Sequence, residues 1–157
     1  MLIRENPWPG FGTYNVPVQA FEQKVRESFG RQAFMTTIRA ELASVTLGAV
    51  EIVLPFDTRL TQQNGFLHAG LITSILDSAC GYAALSVAPE NAEVLSVEFK
   101  VNLLAPAVGE SFIARAQVKR AGRTLTVCTA DAFALNQGNE KLVATMQTTI
   151  MNMIPQQ

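Results

Sequence analysis

Residues 64–88, NGFLHAGLITSILDSACGYAALSVA, contain one formally charged side chain, Asp77, and open beside the chain's only histidine, His68. No other stretch restricts the fold as strongly. About 20 apolar residues in a row can span a bilayer, but this run also holds Asn64, His68, Thr73, Ser74, Ser78 and three glycines. Such polarity is wrong for a lipid-facing helix and suits a helix packed inside a protein. At about 100° per residue, Ile72, Ile75, Leu76, Ala79 and Ala83 fall on one side, and Gly70, Ser74, Asp77 and Gly81 on the other. A solvated helix face normally carries several Lys, Glu or Arg residues. Here the carboxylate stands alone among small residues, so this face is expected to meet another surface, where a charge is costly unless it has partners or a task.

The rest of the chain supplies that helix with a sheet. Residues 1–16 (with PWPGFGTYNV) read as an irregular arm. Pro17 then opens a first amphipathic helix with Val18, Phe21, Val25 and Phe29 on one stripe and Gly30 as its stop. From Ala33 to Phe56 the period drops to two, which predicts two strands. Ile38, Ala40 and Leu42 alternate with polar neighbours, Val50, Ile52 and Leu54 do the same, and Gly48 suits the turn between them. After the loop DTRLTQQNG and the long helix, four more strand-like runs follow. In the first, Val97, Phe99, Val101 and Leu103 alternate with Ser96, Glu98, Lys100 and Asn102; the others are Phe112–Val118, Leu125–Leu135 and Leu142–Ile150, separated by APAVGE, RAGR and NQGNE. The expected architecture is α+β: an antiparallel sheet with one buried face, covered by the helix near 68–86. One domain is expected over 1–157, with arm and first helix to residue 32 and the core over 33–152.

Several function classes lose their footing. The net charge is −1 and no basic run stands out, which argues against nucleic acid as a partner. Cys80 and Cys128 have no CxxC spacing and read as small buried hydrophobes. One histidine and two cysteines cannot build a His/Cys metal cluster of recognisable spacing, so no metal is expected, and no cofactor motif is present. MLIRENPWPG lacks an apolar h-region, so no signal peptide and no membrane association are expected, and the protein is placed in the cytoplasm.

The chemistry concentrates on the long helix. His68, Ala69 and Gly70 would form its N-terminus, where free backbone N–H groups and the helix dipole favour an oxyanion. Asp77 follows two turns later. A carboxylate and a preorganised oxyanion donor are a plausible pair for hydrolysing an activated acyl group.

NGFLHAG followed by LITSILDSACGYAA resembles the HGG…D…A…A signature of hotdog-fold acyl-CoA thioesterases, especially the phenylacetate-degradation-type branch of the 4-hydroxybenzoyl-CoA thioesterase-like superfamily. SVEFKVNLLAPA, KRAGRTLTVCTADAF and EKLVATMQTTI resemble the strand motifs that follow, in the same order, so the likeness runs from about Ala33 to Met151. The resemblance implies the hotdog fold, a curved antiparallel sheet wrapped around one long central helix. It implies hydrolysis of an acyl-CoA, with Asp77 as nucleophile or general base, His68 orienting the site or thioester, and the Ala69 N–H polarising the thioester carbonyl. Gln62 occupies the position of an amide near the nucleophilic water, with Asn64 as the alternative, and Ser96 that of a hydroxyl that helps hold the water. Gly70 completes the helix start, and with Asn64 it is expected to border the bound substrate. Arg123, with Arg120 and Lys119, lies where CoA phosphates would be met, and Gly122 would allow close backbone approach. No cofactor is required.

The resemblance further implies a homodimer, or dimers paired as a homotetramer, with active sites at the dimer interface. Two departures in function stay open at this point: a non-catalytic acyl-CoA-binding protein, and a hotdog hydratase or dehydratase. The motif's first glycine is Ala69 here, so the backbone at that position must be one that alanine adopts. Trp8, Phe11, Tyr14, Phe66 and Tyr82 are candidates to line an acyl tunnel.

Overall fold

The computed structural model describes residues 18–154. The expected N-terminal arm, Pro17, the Val18 side chain and the tunnel candidates Trp8, Phe11 and Tyr14 lie outside the described residues or side chains. Helix α1 (Val18–Gly30) is followed by a short helix α2 (Ala33–Ile38) and the hairpin β1 (Glu41–Thr46) and β2 (Ala49–Pro55). After a 3₁₀ turn at Thr58–Leu60 comes the central helix α3 (Ala69–Val87), then β3 (Glu93–Leu103), β4 (Ser111–Ala121), β5 (Leu125–Asn136) and β6 (Asn139–Met153). The strands form one antiparallel sheet in the order β1-β2-β4-β5-β6-β3, wrapped around α3. This is the hotdog arrangement.

The sheet makes room for the helix through its alanines. Ala116, Ala130 and Met146 are neighbours across β4, β5 and β6, as are Ala114, Ala132 and Ala144, and all six are buried. Ile72, Ile75, Leu76, Ala79 and Ala83 of α3 face these rows and are 1% exposed or less. Large residues on the helix against small ones on the middle strands let the layers interdigitate at interior density. Each buried Ile or Leu stabilises the packing by about 1.5–3 kcal/mol. By length and composition α3 could cross a membrane; here its apolar stripe is spent on the sheet.

The segment Ala33–Ile38 corrects the period-two reading, which predicted a strand. Its apolar residues Met35 and Ile38 are three apart and both buried, a spacing that puts them on one helical face. Arg39 ends the helix in the left-handed conformation at φ 60°, and its guanidinium reaches back to the carboxylate of Asp57. Only from Glu41 does the chain run as a strand. The β2 alternation is as expected, with Val50, Ile52 and Leu54 buried.

Helices α1 and α2 cover the flank of α3 that the sheet leaves open. Tyr82 packs on Phe29 with ring centroids 5.5 Å apart, and its hydroxyl donates to Gln32 Oε1 at 3.2 Å. Tyr82 is therefore a core residue. Lys24 Nζ donates to the Pro89 carbonyl at 2.7 Å, which holds α1 along the end of α3.

Strand β3 departs furthest from the expected pattern. It is a sheet edge, and Leu95, Val97, Phe99 and Leu103 are 45–56% exposed, so its apolar residues are not buried within one chain. The register shifts between Ser96 and Glu98: Ser96 pairs with Ile150 and Glu98 with Thr149. Val97 is thus the extra residue of a β-bulge. Ile150 is buried against the helix, so Ser96 points inward beside it. Strict alternation would have placed Ser96 on the face opposite Phe99, Val101 and Leu103; the bulge puts all four on the inner face.

Candidate active site

The start of α3 is built by a tight turn. Gln62 N–H donates to the Phe66 carbonyl at 2.8 Å, and His68 N–H donates to the Leu60 carbonyl at 3.0 Å. His68 is the N-cap residue: its Nδ1 accepts the Gly70 N–H at 2.9 Å, so in the neutral ring Nε2 carries the hydrogen and is a donor. A Cβ on Gly70 would lie 3.0 Å from that Nδ1, so glycine gives the imidazole room for its close approach. The Leu71 N–H donates to the His68 carbonyl at 2.9 Å. Among the described residues, the Ala69 N–H has no acceptor. Ala69 does not have positive φ, so alanine sits there without backbone strain.

Ala69 lines a groove of about 390 Å³ together with Gln62, Phe66, Leu103, Leu104 and Val143. The Gln62 side-chain carbonyl accepts the Asn64 N–H, which turns the amide NH₂ outward from that turn. Gln62, not Asn64, borders the groove. Leu103, Leu104 and the Ala105–Ala107 segment close the stretch SVEFKVNLLAPA that carries the resemblance, which assigns them no role; only the approach of that segment to the α3 start makes them lining.

Asp77 lies two turns further along α3, half-buried on the side away from the sheet-facing stripe. The Ser96 hydroxyl donates to its Oδ1 at 2.6 Å, and among the described residues no cation pairs with the carboxylate. Helical rise puts Asp77 about 12 Å from Ala69 along the axis, so one chain keeps the carboxylate and the free N–H apart.

The basic turn is placed apart from both. Lys119 falls in a register shift between Val118 and Arg120, and Ala121, Thr126, Ile150 and Ser96 form one row across β4, β5, β6 and β3. Three strand spacings, about 14 Å, separate the start of this turn from Ser96. Lys119, Arg120 and Arg123 are exposed, without acidic partners among the described residues. A Cβ on Gly122 would meet the Leu125 carbonyl oxygen at 2.5 Å, so this glycine closes the hairpin.

The remaining reactive groups are inert. Cys80 and Cys128 are free and buried; burial pushes the Cys128 thiol up to about 12 and raises that of Cys80 as well. Neither offers a thiolate. Among the described residues, no cluster of three or more His, Cys, Asp or Glu side chains could hold a metal ion.

Known proteins agree with this architecture. Residues 64–141 match the family model of the thioesterase superfamily. A thioesterase family protein of Silicibacter pomeroyi is 54% identical, covers 86% of this chain and 99% of its own, and superposes with a TM-score of 0.85. The PaaI protein of the E. coli phenylacetic acid degradation operon shares the fold at 18% identity, over 87% of this chain and 95% of its own, with a TM-score of 0.78. A thioesterase of Haemophilus influenzae does so at 20% identity, over 90% and 93%, with a TM-score of 0.73. The chain belongs to the thioesterase superfamily.

Proposed function

We propose that the protein hydrolyses acyl-CoA thioesters to a carboxylate and free CoA. Asp77 acts as general base, held by Ser96, and the Ala69 N–H receives the oxyanion. The observation that carries the reading is the 2.6 Å Ser96–Asp77 bond in a helix whose first N–H is left without an acceptor. Asp77 takes a proton from water as the water oxygen bonds to the thioester carbonyl carbon. The carbonyl oxygen gains negative charge and is held by the Ala69 N–H, with Gln62 and His68 Nε2–H as further donors. Collapse of this intermediate breaks the C–S bond. A thiol is acidic enough, near 8.5, to leave as thiolate, and it recovers the proton held by Asp77.

Two copies are required. The carboxylate and the Ala69 N–H of one chain are about 12 Å apart, too far to act on one carbonyl. An unpaired edge strand with apolar inner residues at 45% (Phe99) and 56% (Leu103) exposure is a surface that demands a partner. Pairing of two β3 strands in antiparallel fashion brings the Asp77–Ser96 end of one chain toward the groove of the other, and covers the small-residue face of α3. On this reading the exposed Lys119, Arg120 and Arg123 receive the CoA phosphates.

The test is thiol release from a panel of acyl-CoAs by wild type and Asp77→Asn. We expect turnover to fall by orders of magnitude while acyl-CoA binding persists. Equal turnover by the two proteins would remove Asp77 from the mechanism; binding without hydrolysis by wild type would leave an acyl-CoA-binding protein.

A further inference from the structure

The aim of Ser96 at Asp77 is decided one strand away, on β6. Along that strand Ala144, Met146, Thr148 and Ile150 face the helix, and all four are buried. Three are apolar; Thr148, 0% exposed, brings a hydroxyl into the layer. Valine would fill the same space and suit a strand equally well, so the hydroxyl is what threonine adds. A buried hydroxyl is costly without a partner. Here Thr148 Oγ1 donates to the Glu98 carbonyl at 2.8 Å. Glu98 is the first paired residue after Val97, the extra residue of the β3 bulge. A bulge interrupts the regular ladder and re-aims the side chains beside it, so its backbone gains from a hydrogen bond supplied by a side chain of the neighbouring strand.

We propose that Thr148 is a positioning residue for Asp77: its hydroxyl, through the Glu98 carbonyl, fixes the β3 bulge and so holds Ser96 on the carboxylate. The kinetic consequence rests on the thioesterase reading above; the geometric one does not. The contacts run in series, from Thr148 Oγ1 to the Glu98 carbonyl, across the bulge to Ser96, and from Ser96 Oγ to Asp77 Oδ1. Thr149, the next residue, also meets Glu98, but its hydroxyl donates to the exposed Oε1 at 2.6 Å. Water can replace that bond when it is lost, so Thr149→Val is the matched control.

Thiol release from acyl-CoA is compared for wild type, Thr148→Val, Thr148→Ser and Thr149→Val, each with and without Ser96→Ala. Thr148→Val should lower kcat about 10-fold and leave KM within about 2-fold. Thr148→Ser keeps the hydroxyl and should return kcat to within about 3-fold of wild type, and Thr149→Val should stay within about 2-fold. In Ser96→Ala protein, Thr148→Val should cost no further activity, because the two residues act in series. Crystal structures of wild type and Thr148→Val in one crystal form should differ at the bulge, with Ser96 Oγ more than about 3.5 Å from Asp77 in the variant. Unchanged kcat in Thr148→Val, an equal loss in Thr149→Val, or the same fold-loss with and without Ser96 overturns the assignment. A Thr148→Val structure that keeps the Ser96–Asp77 bond overturns it too. If wild type releases no thiol from any acyl-CoA, the hydrolytic reading falls, and the two crystal structures decide whether Thr148 holds the bulge.

Discussion

The Ser96 hydroxyl donates to Oδ1 of Asp77 at 2.6 Å, joining an edge strand to the central helix at the one carboxylate of that helix. A hydrogen bond to a charged group contributes about 1.5–3 kcal/mol. If that bond orients Asp77 for proton abstraction, Ser96→Ala should lower kcat about 10- to 100-fold with KM little changed. Ser96→Thr, which keeps the hydroxyl, should restore most of the loss. Equal kcat for wild type and Ser96→Ala would leave the bond a structural one.

Ala69→Pro isolates the oxyanion donor. Proline is favoured at the first helical position, where the missing N–H has no helical acceptor. The preceding residue must be extended, and His68 already is, at φ −62° and ψ 134°. The substitution therefore removes one N–H and leaves the helix in place. We expect kcat to fall about 10²- to 10³-fold, with an unchanged far-ultraviolet circular dichroism spectrum. Ala69→Gly, by contrast, keeps the N–H and should stay within about 3-fold of wild type, at a cost of about 0.5–1 kcal/mol in stability.

Gly70→Ala sets two stability effects against each other. The added Cβ would sit 3.0 Å from His68 Nδ1, so the imidazole must give by a few tenths of an ångström, which weakens a cap whose complete loss costs about 1 kcal/mol. Replacing glycine by alanine within a helix returns up to about 1 kcal/mol. Tm should therefore change little while kcat falls, because the ring that presents Nε2–H is displaced. Parallel losses of Tm and kcat would show that the cap alone was affected.

The basic turn can be tested with a truncated substrate. Lys119→Ala combined with Arg123→Ala should raise KM for an acyl-CoA about 10-fold, equivalent to about 1.4 kcal/mol, and weaken its dependence on salt. The same acyl group on pantetheine, which lacks the nucleotide phosphates, should show no change. Identical effects on both substrates would place the phosphates elsewhere.

Acid stability should depend on Asp57. Its hydrogen bonds with Arg59, and then with Arg39, hold the carboxyl well below the usual range. A group whose folded value is depressed favours the fold above its unfolded value, near 3.9, and loses that contribution as pH falls below it. Asp57→Asn should thus lower Tm at pH 7, and the gap to wild type should shrink toward pH 3. A gap that is constant across this range would show that the pairing with the two arginines adds nothing to folding.

Much of the architecture was legible along the chain because its signals are local. The α3 stripe of Ile72, Ile75, Leu76, Ala79 and Ala83 repeats at helical spacing, and Val50, Ile52 and Leu54 alternate on β2; each element's own period names its buried face. Residues 33–38 misled because Ile38, Ala40 and Leu42 sustain a period of two across what is a helix end, an αL residue and a strand start. The decisive spacing was Met35 to Ile38.

The sequence by itself determined that His68, Ala69 and Gly70 stand at the head of a long buried helix, and that Asp77 follows on its small-residue side. Helical periodicity and the orphan N–H groups of a helix start require no distant contact. Only the tertiary structure decided which way Ser96 points. A period of two marks two faces of a strand without saying where the count is interrupted, and the bulge at Val97 exists only in the register of β3 against β6. That extra residue turns Ser96 inward to Asp77. In the same way, only folding carried Leu103 and Leu104 from the end of a strand to the wall of the groove beside Ala69, since side chains more than thirty positions apart meet through packing and not through sequence.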